Sequence, residues 1–135
     1  MKDKRRIIGV DYGAKRVGVA ISDENQTIAV PLSVLPNGRT LFRDFKEIVL
    51  SRGVKEVVLG ESKDFKGNDN AIMPAVRAFK AELERDLNLK VHLEPEFMTS
   101  EQAARSGTAP ALLDASAAAI ILQSFLDKKK AKAEV

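Results

Sequence analysis

The stretch Ile7–Asp23, IIGVDYGAKRVGVAISD, constrains this chain more than any other. Ile7, Ile8 and Val10 form a β-branched apolar run, and Val17, Val19 and Ile21 alternate with Gly18, Ala20 and Ser22 at a period of two. The pattern predicts two strands joined by a tight reversal over Tyr12–Arg16. Gly13 is expected to supply the positive φ that such a turn often needs. Asp11 stands where the first strand ends. A carboxylate closing an apolar strand is costly to bury unless it is paired or binds metal. The simplest role for it is to start the turn by accepting backbone N–H groups.

The remaining elements follow in order. Glu24-Asn25-Gln26 makes a second turn and Thr27–Leu35 a third strand, with Pro31 indicating an edge position or a bulge. Pro36-Asn37-Gly38 breaks the chain. Thr40–Arg52 reads as a helix stopped by Gly53, and Val54–Gly60 as a short buried strand. Glu61–Asn70 is a polar loop, and Ala71–Leu87 is an amphipathic helix with Ile72, Val76, Phe79, Leu83 and Leu87 on one face. Lys90–Leu93 is a fifth strand, Thr99–Arg105 a short helix and Pro110–Asp127 the last helix. The order predicts an α/β fold. Strands 1, 2 and 3 form an antiparallel meander, and strands 4 and 5 join parallel to strand 1 through right-handed crossovers. The result is a mixed five-stranded sheet flanked by helices, with strand 4 beside strand 1 and strand 5 one place further out. A doubly wound domain would begin βαβ instead.

With 135 residues the chain is expected to be one domain, 1–135, around one sizeable core. It has no cysteine and a single histidine, His92, which excludes thiolate and multi-histidine metal sites. Any metal must be held by oxygen, which favours one or two Mg²⁺ or Mn²⁺ ions. The net charge of +3 is unevenly placed: Met1–Arg6 and Lys128–Val135 each carry +3, leaving −3 for Ile7–Asp127. The two ends, about 1–6 and 128–135, read as basic tails that touch phosphate or simply solubilise. No apolar run is long enough to span a bilayer, and Asp11 interrupts Ile7-Ile8 too early for a signal peptide. A cytoplasmic protein with no membrane partner is expected.

Three further acids stand out. Asp114 heads the last helix, where Ala117, Ala118, Ile121, Leu122 and Phe125 one to three turns on are apolar. It could instead serve the helix N-terminus. The small residues Ala115–Ala119 allow that helix to approach a sheet closely. Glu61 and Glu96 each follow a strand whose C-terminal end should face the Asp11 edge. One Asp from each of two elements plus a Glu suits metal-assisted phosphodiester hydrolysis. Lys15, Arg16, Lys63 and Lys66 fall on loops at the same edge, as phosphate contacts or as solvated charges.

Asp-x-Gly turns between hairpin strands occur in metal-dependent nucleases of the RNase H-like fold. They also occur in the phosphate loops of actin-like ATPases and sugar kinases, which need two such domains around a cleft. The segment Val10-Asp11-Tyr12-Gly13-Ala14-Lys15-Arg16-Val17-Gly18-Val19-Ala20 resembles the opening of the YqgF family, the RuvX-type nucleases. Asp114-Ala115-Ser116-Ala117-Ala118-Ala119-Ile120-Ile121-Leu122-Gln123-Ser124-Phe125-Leu126 resembles that family's closing helix. The resemblance implies an RNase H-like fold and a metal-dependent endonuclease acting at the 5′ end of precursor 16S rRNA. It also implies contact with ribosomal precursor particles, and a monomer or weak homodimer. Two alternatives remain beside it: a Holliday-junction resolvase acting on branched DNA, and a non-catalytic ribosome-assembly factor that binds nucleic acid.

The middle of the chain departs from the family. Its Asp-Glu-Arg-Leu-Thr-Thr appears here as Pro95-Glu96-Phe97-Met98-Thr99-Ser100, and its Gly-Leu-Pro as Gly60-Glu61-Ser62. The resemblance implies Asp11, Asp114 and Glu96 as metal ligands, because the Thr99-Ser100 hydroxyl pair follows Glu96 at the family's spacing. Strand adjacency favours Glu61 instead, and Glu96 would have to reach the site from beyond its strand, past Pro95. Glu61 is therefore the reserve ligand or a water-orienting group.

Overall fold

The computed structural model describes residues 5–64, 66–96 and 110–133. β1 (Ile7–Tyr12) and β2 (Arg16–Ser22) pair antiparallel as expected, from Ile8 opposite Ile21 to Tyr12 opposite Val17. The Gly13 N–H donates to the Arg16 carbonyl at 2.9 Å to close the turn. The positive φ expected of Gly13 is not found. What the position requires is space, since a Cβ there would stand 2.6 Å from the Arg16 carbonyl oxygen. At the next turn the Asp23 carboxylate accepts from the Thr27 and Ile28 backbone N–H groups and from the Thr27 hydroxyl. These bonds hold its pKa down, to about 2.

β3 (Ala29–Pro36) is an edge strand, as Pro31 suggested. The register with β2 shifts between Val19 and Ala20, which face Ser33 and Pro31 and leave Leu32 as the extra residue of a bulge. α1 (Leu41–Arg52) buries Leu41, Phe45 and Val49 and ends on Gly53 at φ 64°, a left-handed cap that suits glycine. β4 (Glu56–Ser62) leads through the polar loop to α2 (Met73–Leu87), with Pro74 in its first turn. That helix starts at Met73 and not at Ala71, because Pro74 has no N–H and is tolerated only at a helix start. β5 spans Lys90–Glu96 and so runs past the predicted end at Leu93.

α3 (Pro110–Ala133) continues beyond the predicted Asp127. Lys128 is consequently part of a helix and not of a free tail: its Nζ donates to Glu94, a buried carboxylate on β5 that also accepts from Ser124. Burying an unpaired charge there would be costly, and these two donors remove that cost. The expected Thr99–Arg105 helix lies outside the described residues. Among the described residues no helix is long and apolar enough to cross a membrane.

The sheet order is β3-β2-β1-β4-β5, antiparallel across β1–β2 and β2–β3 and parallel across β1–β4 and β4–β5. This is the predicted mixed sheet. Strand alternation sends Ile8, Val10, Val57 and Leu59 to one face, where they pack with Phe45, Val49, Met73, Val76 and Phe79 of α1 and α2. Ile7 and Val58 point the other way, against Ala118, Ile121, Leu122 and Leu126 of α3. Each fully buried Val, Leu or Ile contributes roughly 1.5–3 kcal/mol. Among the described residues the sheet therefore has a thick layer on one face and one close-packed helix on the other.

Candidate active site

On β1 the residues facing α3 are Ile7, Gly9 and Asp11. Asp11 stands directly opposite Gly18 of β2. On its other side Val10 pairs with Leu59, so Gly60 is the next residue beside Asp11 along β4. Asp11 is thus flanked by a glycine on each neighbouring strand, and both glycines face α3.

Those glycines make room for the other two acids. A Cβ at Gly18 would fall 1.9 Å from the backbone carbonyl oxygen of Asp114, so the first turns of α3 rest on bare β2 backbone. A Cβ at Gly60 would fall 2.7 Å from Oε2 of Glu96 and from Cδ1 of Ile121. The Glu96 side chain therefore leans from β5 across β4 toward β1. Gly9 repeats the device lower down, where a Cβ would meet Leu122 Cβ at 2.6 Å. The sequence gives a signal for this: glycines at positions where an inward-facing strand residue should be bulky.

The electrostatics agree with this placement. Burial pushes the Asp11 carboxyl up to about 6, and the Asp114 charge adds to the rise. Burial pushes Glu96 up to about 8, with Asp11 the second cause. Asp114 has a counter-charge, as Arg16 Nε donates to its Oδ2 at 2.7 Å. Arg16 lies on the same face of β2 as Gly18. Among the described residues no three acidic or imidazole groups already stand close enough together to hold an ion. Three carboxylates without a shared counter-charge repel, and here one of them turns to arginine.

Glu61 is placed elsewhere. It follows Leu59 by two residues and so shares the α1–α2 face, across the sheet from Asp11. The strand adjacency that favoured it is real, but its parity is wrong. Lys63, two residues on, reaches Glu61 at 3.9 Å and Asp69 at 2.9 Å. Its charge is engaged within the β4–α2 loop. Lys15 and Lys66 are exposed. Glu96 does not need chain beyond its strand, because β5 itself extends through Pro95 to pair Ser62 with Glu96. The hydroxyl pair Thr99-Ser100 lies outside the described residues.

The donor chemistry suits a hard divalent cation. Asp11, Glu96 and Asp114 supply only oxygen, two of them are half-buried without a cationic partner among the described residues, and glycine cradles admit all three to one face. Comparison with known proteins adds a lineage. The family model RuvX, described as Holliday junction resolvase, matches residues 5–128. A protein of Maridesulfovibrio salexigens, provisionally named a pre-16S rRNA nuclease, is 34% identical over 131 residues, covering 90% of this chain and 97% of its own. Equally named proteins of Chloroflexus aggregans and Moorella thermoacetica are each 35% identical, covering 95% and 91% of this chain and 97% and 95% of theirs. The structure of T. thermophilus RuvC in complex with a Holliday junction substrate superposes with a TM-score of 0.56 at 17% identity, covering 93% of this chain and 96% of that one. That likeness is one of fold, and the fold is RNase H-like.

Proposed function

The chain belongs to the RuvX family of Holliday junction resolvases, and from that premise we propose that it is a metal-dependent endonuclease cutting structured nucleic acid, with the 5′ end of precursor 16S rRNA as its substrate. The observation that carries this reading is the gathering of Asp11, Glu96 and Asp114 on the α3 face of the sheet, over the two glycines that flank Asp11. These three side chains would hold Mg²⁺ or Mn²⁺. When bound, the ion supplies Lewis acidity toward water and toward the leaving oxygen of the phosphodiester. Asp11 and Glu96, whose carboxyls burial raises to about 6 and about 8, would hold the cation as ionised carboxylates, Glu96 losing a proton to do so. Asp114 would exchange its bond to Arg16 for the cation, leaving Arg16 to meet a substrate phosphate. Lys15 and Lys66 lie exposed for further phosphate contacts, which position the substrate without reading sequence. The RNA substrate comes from the names of the relatives. The family description instead favours branched DNA.

The test is cleavage of a precursor 16S rRNA fragment and of a four-way DNA junction, each with and without Mg²⁺. Cleavage of the RNA only with metal is expected, and preference for the junction would move the substrate to DNA. Asp11→Asn is expected to abolish cleavage while leaving thermal stability equal or higher, because it removes one of several mutually repelling carboxylates. A variant that cuts like the parent protein overturns the site.

A further inference from the structure

On the face of the sheet away from α3, a cleft of about 480 Å³ opens between the start of α1 and the flank of α2. Its size falls within the roughly 300–1,000 Å³ range of small-ligand sites. Tyr12 and Phe42, both half-buried, form its aromatic floor over the buried Phe79, with the Tyr12 and Phe79 rings 5.2 Å apart. Arg39 and Arg85 stand at its rim against one carboxylate, Glu82. Arg85 is tied to Asp86, whereas Arg39 is exposed and has no ion-pair partner among the described residues.

The cleft is fixed to the active-site strand. Asn37 in its wall donates to the Gly13 carbonyl at 2.7 Å through its side chain and to the Lys15 carbonyl at 2.9 Å through its backbone. Tyr12 immediately follows Asp11, with its side chain on the opposite face. The end of β1 therefore presents a carboxylate to one side and an aromatic ring to the other.

We propose that this cleft is a subsite for one unpaired nucleotide of the strand being cut, its base lying on the aromatic floor and its phosphate meeting Arg39. The proposal rests on the nuclease reading above and adds to it where the flanking strand goes. Aromatic faces with a neighbouring arginine are how single strands are held without sequence preference, since every base offers a π-face and every nucleotide a phosphate. A purely apolar ligand would leave Arg39 without a role, and a simple anion would leave the half-buried Tyr12 and Phe42 rings without one. The strand passes over the end of the sheet from the Asp11 side to the Tyr12 side.

The chain has one tyrosine and no tryptophan, so its intrinsic fluorescence reports on this cleft. The experiment titrates the full chain, in chelator so that no cutting occurs, with an oligoadenylate of about five nucleotides. Quenching of Tyr12 is expected. Arg39→Glu and Phe42→Ala should each weaken binding about 10-fold, the scale of losing one stacked or phosphate-paired nucleotide. Arg43→Ala, on the same turn of α1 but outside the cleft and paired to Asp44, should bind like the parent. Absence of quenching, or quenching untouched by Arg39→Glu, overturns the subsite. Quenching by AMP as strong as by the oligonucleotide at equal concentration also overturns it, marking a free-nucleotide site. Should Phe42→Ala not fold, the exposed Arg39→Glu decides alone. Failure of the nuclease reading shows separately, as no metal-dependent cutting by a protein that still binds the strand.

Discussion

Asp11 and Glu96 are held in the fold at a cost in desolvation, with charge repulsion second, that the unfolded chain does not have. Both carboxyls keep their protons to higher pH folded than unfolded, one to about 6 and the other to about 8. From the ordinary carboxylate range up to about pH 8 the folded state binds more protons, so stability falls as pH rises. Thermal melts of the metal-free protein should therefore give a lower Tm at about pH 8 than at about pH 5, with Asp11→Asn removing part of the slope. A flat profile for the parent protein would show that the two acids are not desolvated beside each other. The same residues set the test between the two glutamates. Glu96→Gln should cost metal-dependent cleavage more than the roughly 10–100-fold of an outer-sphere change, and Glu61→Gln should stay within that range or below it. Glu61 proving the more sensitive position would reverse the assignment.

α3 is the element on which Asp114 depends, and its seat is defined by what the strands lack. It lies on Gly9, Gly18 and Gly60 because no side chain intervenes. Gln123 ties it to the β3 edge, accepting from the Ala29 N–H and donating to the Thr27 carbonyl, both at 2.9 Å. Ser124 and Lys128 tie it to Glu94 on the other side. Gly18→Ala should lift the helix start, since the new methyl meets backbone and not a flexible side-chain end. The expected cost is about 1–3 kcal/mol of stability, with a larger loss of cleavage because Asp114 moves with the helix. Gly38→Ala, with nothing within 4 Å, is the neutral control. Equal denaturant midpoints for the two variants would mean that α3 does not rest on β2 as described.

For the whole molecule, charge distribution bears on binding more than on fold. The lysines at the end of α3 are exposed on a helix, and Lys128 alone among them is committed to a buried carboxylate. Removing everything from Lys128 would thus mix a stability effect with an electrostatic one. Lys130→Gln with Lys132→Gln separates them. The double variant should keep its Tm and reduce the slope of log affinity against log salt for RNA by about 1.5, if both lysines meet phosphate. An unchanged slope assigns them to solubility.

The hairpin around Asp11, the five strands, the α1 and α2 helices and the mixed sheet order were all legible in the chain, because alternation, helical spacing and turn residues are local signals. The family resemblance likewise rested on contiguous motifs, and the comparisons bear it out. Element ends were less legible: Pro74 delayed a helix, and pairing with Ser62 carried β5 to Glu96. The choice between Glu61 and Glu96 was beyond local signals altogether. It turns on which face each side chain takes, a parity fixed by the register of three strands and by a helix more than a dozen residues away in sequence. The cleft at Tyr12 was invisible for the same reason, since Tyr12, Phe42 and Phe79 come from three separate elements and meet only when the sheet and its helices close around them.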